Sequence, residues 1–301
     1  MNSDKKLITI LGPTAVGKTK LAAQLAYRFN AEIISADSRQ VYIGMDIGTG
    51  KDYEDYFVNK TKIKTHLIDV ILPQEEFNLY LFQKLFYEAL NKIIKENKIP
   101  FLVGGTALYI NSVLKEYELS QVDFNSKREK YLQTLNLSEL KNILLKKKEY
   151  LHNTTDLLDK ERTIKAILIE ENKKQINYKI SINPMVIGVY DDREIIKKRI
   201  RERLKKRLLS GMIEEVELLL KNGVTHDKLK FFGLEYKFIS MYLKNELNYN
   251  DMYQKLASAI INFSKRQMTW FRKMEREGIK INWIKNDEIN KAEALINTFL
   301  K

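Results

Sequence analysis

The residues Gly12-Pro13-Thr14-Ala15-Val16-Gly17-Lys18-Thr19 fit the spacing G-x-x-x-x-G-K-[ST]. In that pattern two glycines let the backbone curl until successive N–H groups converge on a phosphate. Lys18 adds a full positive charge, the N-terminus of the following helix adds a partial one, and the Thr19 hydroxyl can ligate Mg2+. Such a P-loop grips a di- or triphosphate. It does not fix what the phosphates are attached to, or whether they are transferred or depart. Asp37 closes the apolar run Ile33-Ile34-Ser35-Ala36. Ligands of open parallel sheets sit at the carboxyl ends of the strands, which sets Asp37 beside the phosphate loop as a metal ligand or a general base.

For those groups to meet, the loop and the aspartate must hang on neighbouring strands. β-rich runs occur at residues 7–11, 32–36, 66–70, 101–103 and 185–190, with a last one at 279–284, and most are separated by segments of helical spacing. Leu21, Ala22, Leu25, Ala26 and Phe29 recur at three- and four-residue steps, so a helix follows the first strand almost at once. Residues 114–183 are rich in Leu, Lys and Glu, without a strand pattern. The expected fold is α/β: a P-loop-containing parallel sheet flanked by helices, with a helical insertion domain. The expected organisation is a first part of the core at 1–114, the insertion at 115–184, and the remainder of the core with C-terminal helices at 185–301. On the helix beginning near Asp191, Arg199, Arg203 and Arg207 form one line beside Ile196, Ile200, Leu204 and Leu208. An arginine at the edge of an apolar stripe can look into a cleft while its neighbours pack.

The chain has 301 residues, no cysteine, a net charge of +13 and 44% hydrophobic residues. Disulfides and thiolate metal sites are excluded, and a sizeable folded core is expected. No apolar run approaches the ~18 residues of a membrane span, and a cytoplasmic location is expected. The positive surplus favours a polyanionic partner, of which nucleic acid is the commonest soluble example. Three functions fit so far: a group transferase whose phosphate departs, a small-molecule kinase, and an RNA-binding ATPase switch.

Further stretches narrow this. They are Asp37-Ser38-Arg39-Gln40-Val41-Tyr42, Gly44-Met45-Asp46-Ile47-Gly48-Thr49, His66-Leu67-Ile68-Asp69-Val70 with Pro73, Gly104-Gly105-Thr106-Ala107-Leu108-Tyr109, and Lys265-Arg266-Gln267-Met268-Thr269-Trp270-Phe271-Arg272. Together with the phosphate loop they resemble the tRNA dimethylallyltransferase family, the isopentenyl-tRNA transferases, over most of the chain. The resemblance implies transfer of a dimethylallyl group from dimethylallyl diphosphate to N6 of adenosine 37, beside the anticodon of tRNA, with release of diphosphate and with Mg2+ as cofactor. The absence of cysteine excludes the zinc finger found in some eukaryotic relatives, so a bacterial-type, minimal enzyme is implied, and a monomer is expected.

Carried over residue by residue, the resemblance makes Asp37 the base and Thr106 a group near both the diphosphate and the target nucleotide. Lys18 and Arg203 become stabilisers of the leaving group, with Arg199 second to Arg203. The implied RNA-contacting positions are Asp37, Ser38, Arg39, Gln40 and Thr106, then Arg128 with Glu161-Arg162-Thr163-Ile164-Lys165 in the insertion, and Gly233-Leu234-Glu235-Tyr236. Lys165 stands where the family has Arg, Leu234 where it has Tyr, and Lys205 where an acid follows the catalytic arginine. Lys265, Arg266 and Arg272 are expected to line the substrate channel while Trp270 and Phe271 pack on the core.

Overall fold

The computed structural model describes residues 4–119, 127–147, 157–172 and 180–301. β1 (Lys5–Leu11) runs into α1 (Lys18–Arg28) and β2 (Ala31–Ala36). An antiparallel hairpin of β3 (Phe57–Val58) and β4 (Thr61–Lys62) precedes β5 (Thr65–His66), α2 (Leu79–Lys95), β6 (Ile99–Gly104) and α3 (Ala107–Leu114). The insertion holds α4 (Lys127–Thr134), α5 (Leu137–Lys147) and α6 (Lys160–Glu171). The chain then forms β7 (Ile182–Tyr190), α7 (Arg193–Leu209), α8 (Met212–Lys221) and α9 (His226–Phe231). α10 (Leu234–Leu243), α11 (Tyr249–Arg276), β8 (Ile281–Lys285) and α12 (Ile289–Leu300) complete it.

Six strands form one sheet in the order β5-β2-β6-β1-β7-β8, and every ladder in it is parallel. Parallel strands covered on both faces need continuous apolar runs, and Leu7, Ile8, Ile10 and Leu11 of β1 are all 0% exposed. From the central β1 the chain crosses to β2 on one side, while β6 leads on to β7 on the other. The carboxyl ends of β1 and β6 therefore border the crevice where such sheets take ligands.

Two expectations shift. The run 66–70 was expected as a strand, but β5 stops at His66 because Leu67 (φ 62°) and Asp69 (φ 55°) adopt left-handed backbone. Contacts divide the chain into Met1–Lys115 with Ile180–Lys301, and Glu116–Lys179, so the core resumes at Ile180 rather than at 185. β7 claims Ile182, Asn183 and Pro184 through pairing with Lys5, Lys6 and Leu7. Within the insertion Leu132, Leu140, Leu144, Ile164, Ile167 and Leu168 form a separate apolar core. Among the described residues, no helix is long and apolar enough to cross a membrane.

Candidate active site

The phosphate loop follows β1 and ends in α1. Gly12 is required because a Cβ there would stand 2.6 Å from the Val189 carbonyl oxygen. Gly17, in left-handed backbone at φ 89°, takes the N-cap position of α1 with no side chain capping it. The first turn of α1 carries no acidic residue, so its free N–H groups and the helix dipole are left for an anion. Pro13 and Val16 are buried and fix the loop to the core, and Lys18 Nζ donates to the Pro13 carbonyl at 3.4 Å.

Thr14, Ala15, Gly17, Lys18 and Thr19 line a cavity of about 380 Å³, large enough for a small phosphorylated ligand. Asp37, Ser38, Arg39 and Gln40 face the same space from the end of β2, and Thr106 from the end of β6. Arg203 enters from α7, and Gly233, Leu234, Glu235 and Tyr236 from the start of α10. The site expected from the core sequence is thus gathered in one place.

Asp37 Oδ1 accepts from the Arg39 N–H at 2.9 Å, and the Ser38 N–H donates to Thr106 Oγ1 at 3.1 Å. Arg203 Nη2 donates to Thr14 Oγ1, joining α7 to the phosphate loop. Burial lowers the Lys18 ammonium from its usual 10.5 to about 8, with Asp37 opposing and Arg203 assisting. Burial, then the neighbouring Arg207, lowers Arg203 to about 10, against the pull of Asp52, Glu235 and Asp37. Burial raises Glu235, while Arg207 and Arg203 hold it back.

Sequence spacing alone did not decide among the arginines of α7. Arg203 and Arg207 line the cavity, whereas Arg199 pairs with Asp191 at 2.8 Å and lies outside its lining. Arg207 is 8% exposed and donates from Nη2 to Asp52 at 3.0 Å. A Cβ on Gly50 would come within 2.1 Å of that nitrogen, so glycine there makes room for Arg207.

Several expected RNA contacts have work inside the protein. Tyr236 is 1% exposed, and its hydroxyl donates to Glu215 Oε1 at 2.8 Å. The same carboxylate accepts the N–H groups of Asp46, Ile47 and Gly48 at 2.8, 2.7 and 3.0 Å, so Tyr236 braces the loop after Asp37. Gln40 donates to the Gly50 carbonyl and accepts from Ser35, leaving a single amide proton of its side chain for any other acceptor. Arg39 stacks over Phe231, 4.8 Å from the ring centroid.

In the insertion, Thr163 and Ile164 were expected at RNA but are 0% and 4% exposed: Ile164 belongs to its apolar core, and the Thr163 hydroxyl donates to the Asp159 carbonyl at 2.8 Å. Glu161, Arg162 and Lys165 are exposed on α6. Arg128 is held by Glu171 through bonds of 3.0 and 2.8 Å, which makes it a tie between α4 and α6.

On α11, Arg266 lines the cavity, but Lys265 and Arg272 line a second one of about 330 Å³, with Ile196 and Ile200 of α7. Phe271 is 0% exposed, whereas Trp270 is 36% exposed with Lys273 over its ring, so only one of the two aromatics packs inward. Sequence reasoning missed Gln267 of the same helix. Its carboxamide accepts from the Thr14 N–H at 2.8 Å and donates to the Gly105 carbonyl at 2.9 Å. A polar residue on the buried stripe of α11 was the available signal.

A parallel sheet with a phosphate loop, and an aspartate lining the same cavity as that loop, define an α/β enzyme of the P-loop class. The family model described as IPP transferase matches residues 40–274. The chain belongs to that family. It is 46% identical over 289 residues to tRNA dimethylallyltransferase 1 of Syntrophus aciditrophicus, covering 94% of this chain and 95% of that one. It is 49% identical over 297 residues to the protein of the same name from Azobacteroides pseudotrichonymphae, covering 97% of both. Among solved structures, the full-length tRNA isopentenylpyrophosphate transferase of Bacillus halodurans superposes with a TM-score of 0.70 at 29% identity, over 98% of this chain and 96% of that one.

Proposed function

We propose that this chain transfers a dimethylallyl group from dimethylallyl diphosphate to N6 of adenosine 37 in tRNA and releases diphosphate. The observation that carries the reading is the gathering of Lys18, Thr19, Arg203 and Asp37 around a single cavity. The diphosphate rests on the N–H groups of the loop. As the allylic carbon–oxygen bond breaks, its electron pair passes to the diphosphate, and Lys18 and Arg203 meet the growing charge. The adenine amine forms the new carbon–nitrogen bond. Its lone pair is delocalised into the ring, so removal of its proton by the Asp37 carboxylate assists the attack. Thr106 keeps the Asp37 turn in register through Ser38.

Mg2+ suits the donors present. Thr19 offers a hydroxyl, and the diphosphate would offer oxygens, the hard ligands this ion takes. Among the described residues no group of three His, Cys, Asp or Glu side chains could cage a metal alone, so ion and diphosphate would be held together. When bound, Mg2+ supplies neutralising charge to the leaving group. The surplus of +13 draws the RNA backbone, and the exposed Arg162 and Lys165 are candidates for phosphate contact.

The test is incubation of the full chain with Mg2+, dimethylallyl diphosphate and unmodified tRNA, followed by mass spectrometry of the nucleosides. An adenosine heavier by one dimethylallyl group is expected. Folded protein that leaves every adenosine unchanged, or that consumes ATP to phosphorylate an acceptor, overturns the reading.

A further inference from the structure

Beyond the last ladder pair between β1 and β6, Leu11 with Gly104, the two strands part into separate loops. One carries the phosphate cradle and the other carries Thr106. The two must stay at a fixed separation if leaving group and incoming amine are to be aligned. Gln267 stands between them. It lies 253 residues from Thr14 and 162 from Gly105, on the buried stripe of α11 formed with Ile260, Ser264, Phe271 and Met274.

A carboxamide that is only 7% exposed carries a desolvation cost unless both its ends are bonded. Both are: Oε1 takes the Thr14 N–H and Nε2 gives a proton to the Gly105 carbonyl. The fit depends on the absence of a side chain at 105, where a Cβ would lie 2.5 Å from Gln267 Nε2. The bonds extend outward on each side. Thr14 accepts Arg203 on its hydroxyl, and the residue after Gly105 is Thr106, which accepts Ser38 beside Asp37. A chain of contacts therefore runs from the arginine of the leaving-group side to the turn of the proposed base, and Gln267 is the link that crosses between the loops.

We infer that Gln267 is a positioning residue which sets the distance between the phosphate loop and the Thr106–Asp37 side of the cavity through its bonds to Thr14 and Gly105. It need not touch substrate. The inference rests on the transfer reaction proposed above, in which a misplacement of about 1 Å costs on the order of 10²-fold in rate.

The test compares the full-length wild type with Gln267→Met, which keeps the volume but loses both bonds, and with Gln267→Glu. In the assay with dimethylallyl diphosphate and unmodified tRNA, Gln267→Met should lower kcat by roughly 30–100-fold while the donor KM stays within about threefold. Gln267→Glu retains an acceptor for Thr14 but faces the Gly105 carbonyl without a proton. Its rate relative to wild type should therefore rise as pH is lowered from about 8 to 6 and the acid gains a proton to donate. Independently of turnover, amide hydrogen exchange should speed up together in peptides spanning residues 12–19 and 104–108 of Gln267→Met. A kcat within about twofold of wild type, or a donor KM raised about tenfold with kcat intact, overturns the inference, and so does unchanged exchange in those two peptides. An inactive wild type would instead overturn the transfer reading, with the exchange measurement still deciding the role of Gln267.

Discussion

The Ser38 amide donates to Thr106 Oγ1 across the carboxyl ends of β2 and β6, at 3.1 Å. Thr106 occupies the N-cap position of α3, yet its side chain makes no cap bond to that helix. A threonine there ordinarily satisfies an N–H of its own first turn. Here the hydroxyl is turned to the neighbouring strand, and the Thr106 N–H is given to Ala36 at 3.2 Å. Residue 106 is thereby tied twice to the segment that presents Asp37.

Thr106→Val should separate these roles. Valine keeps the shape and the backbone bond to Ala36 but strands the Ser38 N–H. Losing an acceptor from a partly buried donor costs about 1–3 kcal/mol, so kcat should fall roughly 5- to 100-fold. Thr106→Ser restores the hydroxyl and should recover most of the rate. Steady-state kinetics on both variants checks this, and equal losses in the two would mean that the methyl group matters and the hydroxyl does not.

Asp37→Asn retains an oxygen for the Arg39 N–H, so the turn should survive while the proton acceptor is lost. Turnover is expected to drop by ~10²–10⁴-fold with little change in tRNA affinity. Filter binding of tRNA alongside the transfer assay measures both. Collapse of tRNA binding with the residual rate unchanged at saturation would make Asp37 a recognition residue.

The sequence made the frame legible where one force dominated. The phosphate loop was found by its motif spacing after a strand, and Asp37 because buried parallel strands need uninterrupted apolar runs that end where ligands sit. The span 66–70 misled because its apolar letters continue past the point where Leu67 turns left-handed, and periodicity carries no record of backbone sign. Helical spacing put Arg199, Arg203 and Arg207 on one line, but an α-helix drifts against a strict four-residue repeat. One end of the line therefore meets Asp191 while the other meets the cavity. Glu161–Lys165 came over from the resemblance as one stretch, although neighbours in a helix point in different directions, so Thr163 and Ile164 are buried while Glu161, Arg162 and Lys165 are exposed. Gln267 stayed hidden because its partners, Thr14 and Gly105, are brought to it only by the assembled sheet and the packing of α11.

Glu32 lies in β2 at 1% exposure, where Lys98, His66 and Lys64 approach its oxygens at 2.6, 2.7 and 3.1 Å. Burial pushes this carboxyl up, but the hydrogen bonds from Lys98, His66 and Lys64 outweigh it and bring it down from 4.5 to about 2. A carboxylate depressed by folding adds stability that is fully present above its unfolded value and is lost as pH falls through the folded one. Thermal unfolding of the wild type should therefore show a loss of Tm between pH 4.5 and about 2. Glu32→Gln should start lower at neutral pH, by about 2 kcal/mol, and lose less across that window. Parallel Tm curves for the two proteins would assign the acid limb elsewhere.

Lys18 gives a stability slope of the same sign on the alkaline side. Its ammonium is lowered from 10.5 to about 8, first by burial, so the free enzyme loses this charge while an unfolded chain would keep it. Between those two values the unfolded state binds more protons, and the Lys18 contribution to stability rises with pH. Binding goes the other way, because the uncharged amine no longer attracts phosphate. The kcat/KM for dimethylallyl diphosphate should fall with a midpoint near pH 8 in the free enzyme. The kcat should hold further into the alkaline range, since a bound diphosphate raises the ammonium again. Lys18→Arg should be slower, having a planar fork in place of a compact charge, but stays protonated throughout, so its kcat/KM profile should lose that limb. If Lys18→Arg descends near pH 8 as the wild type does, some other group governs donor capture.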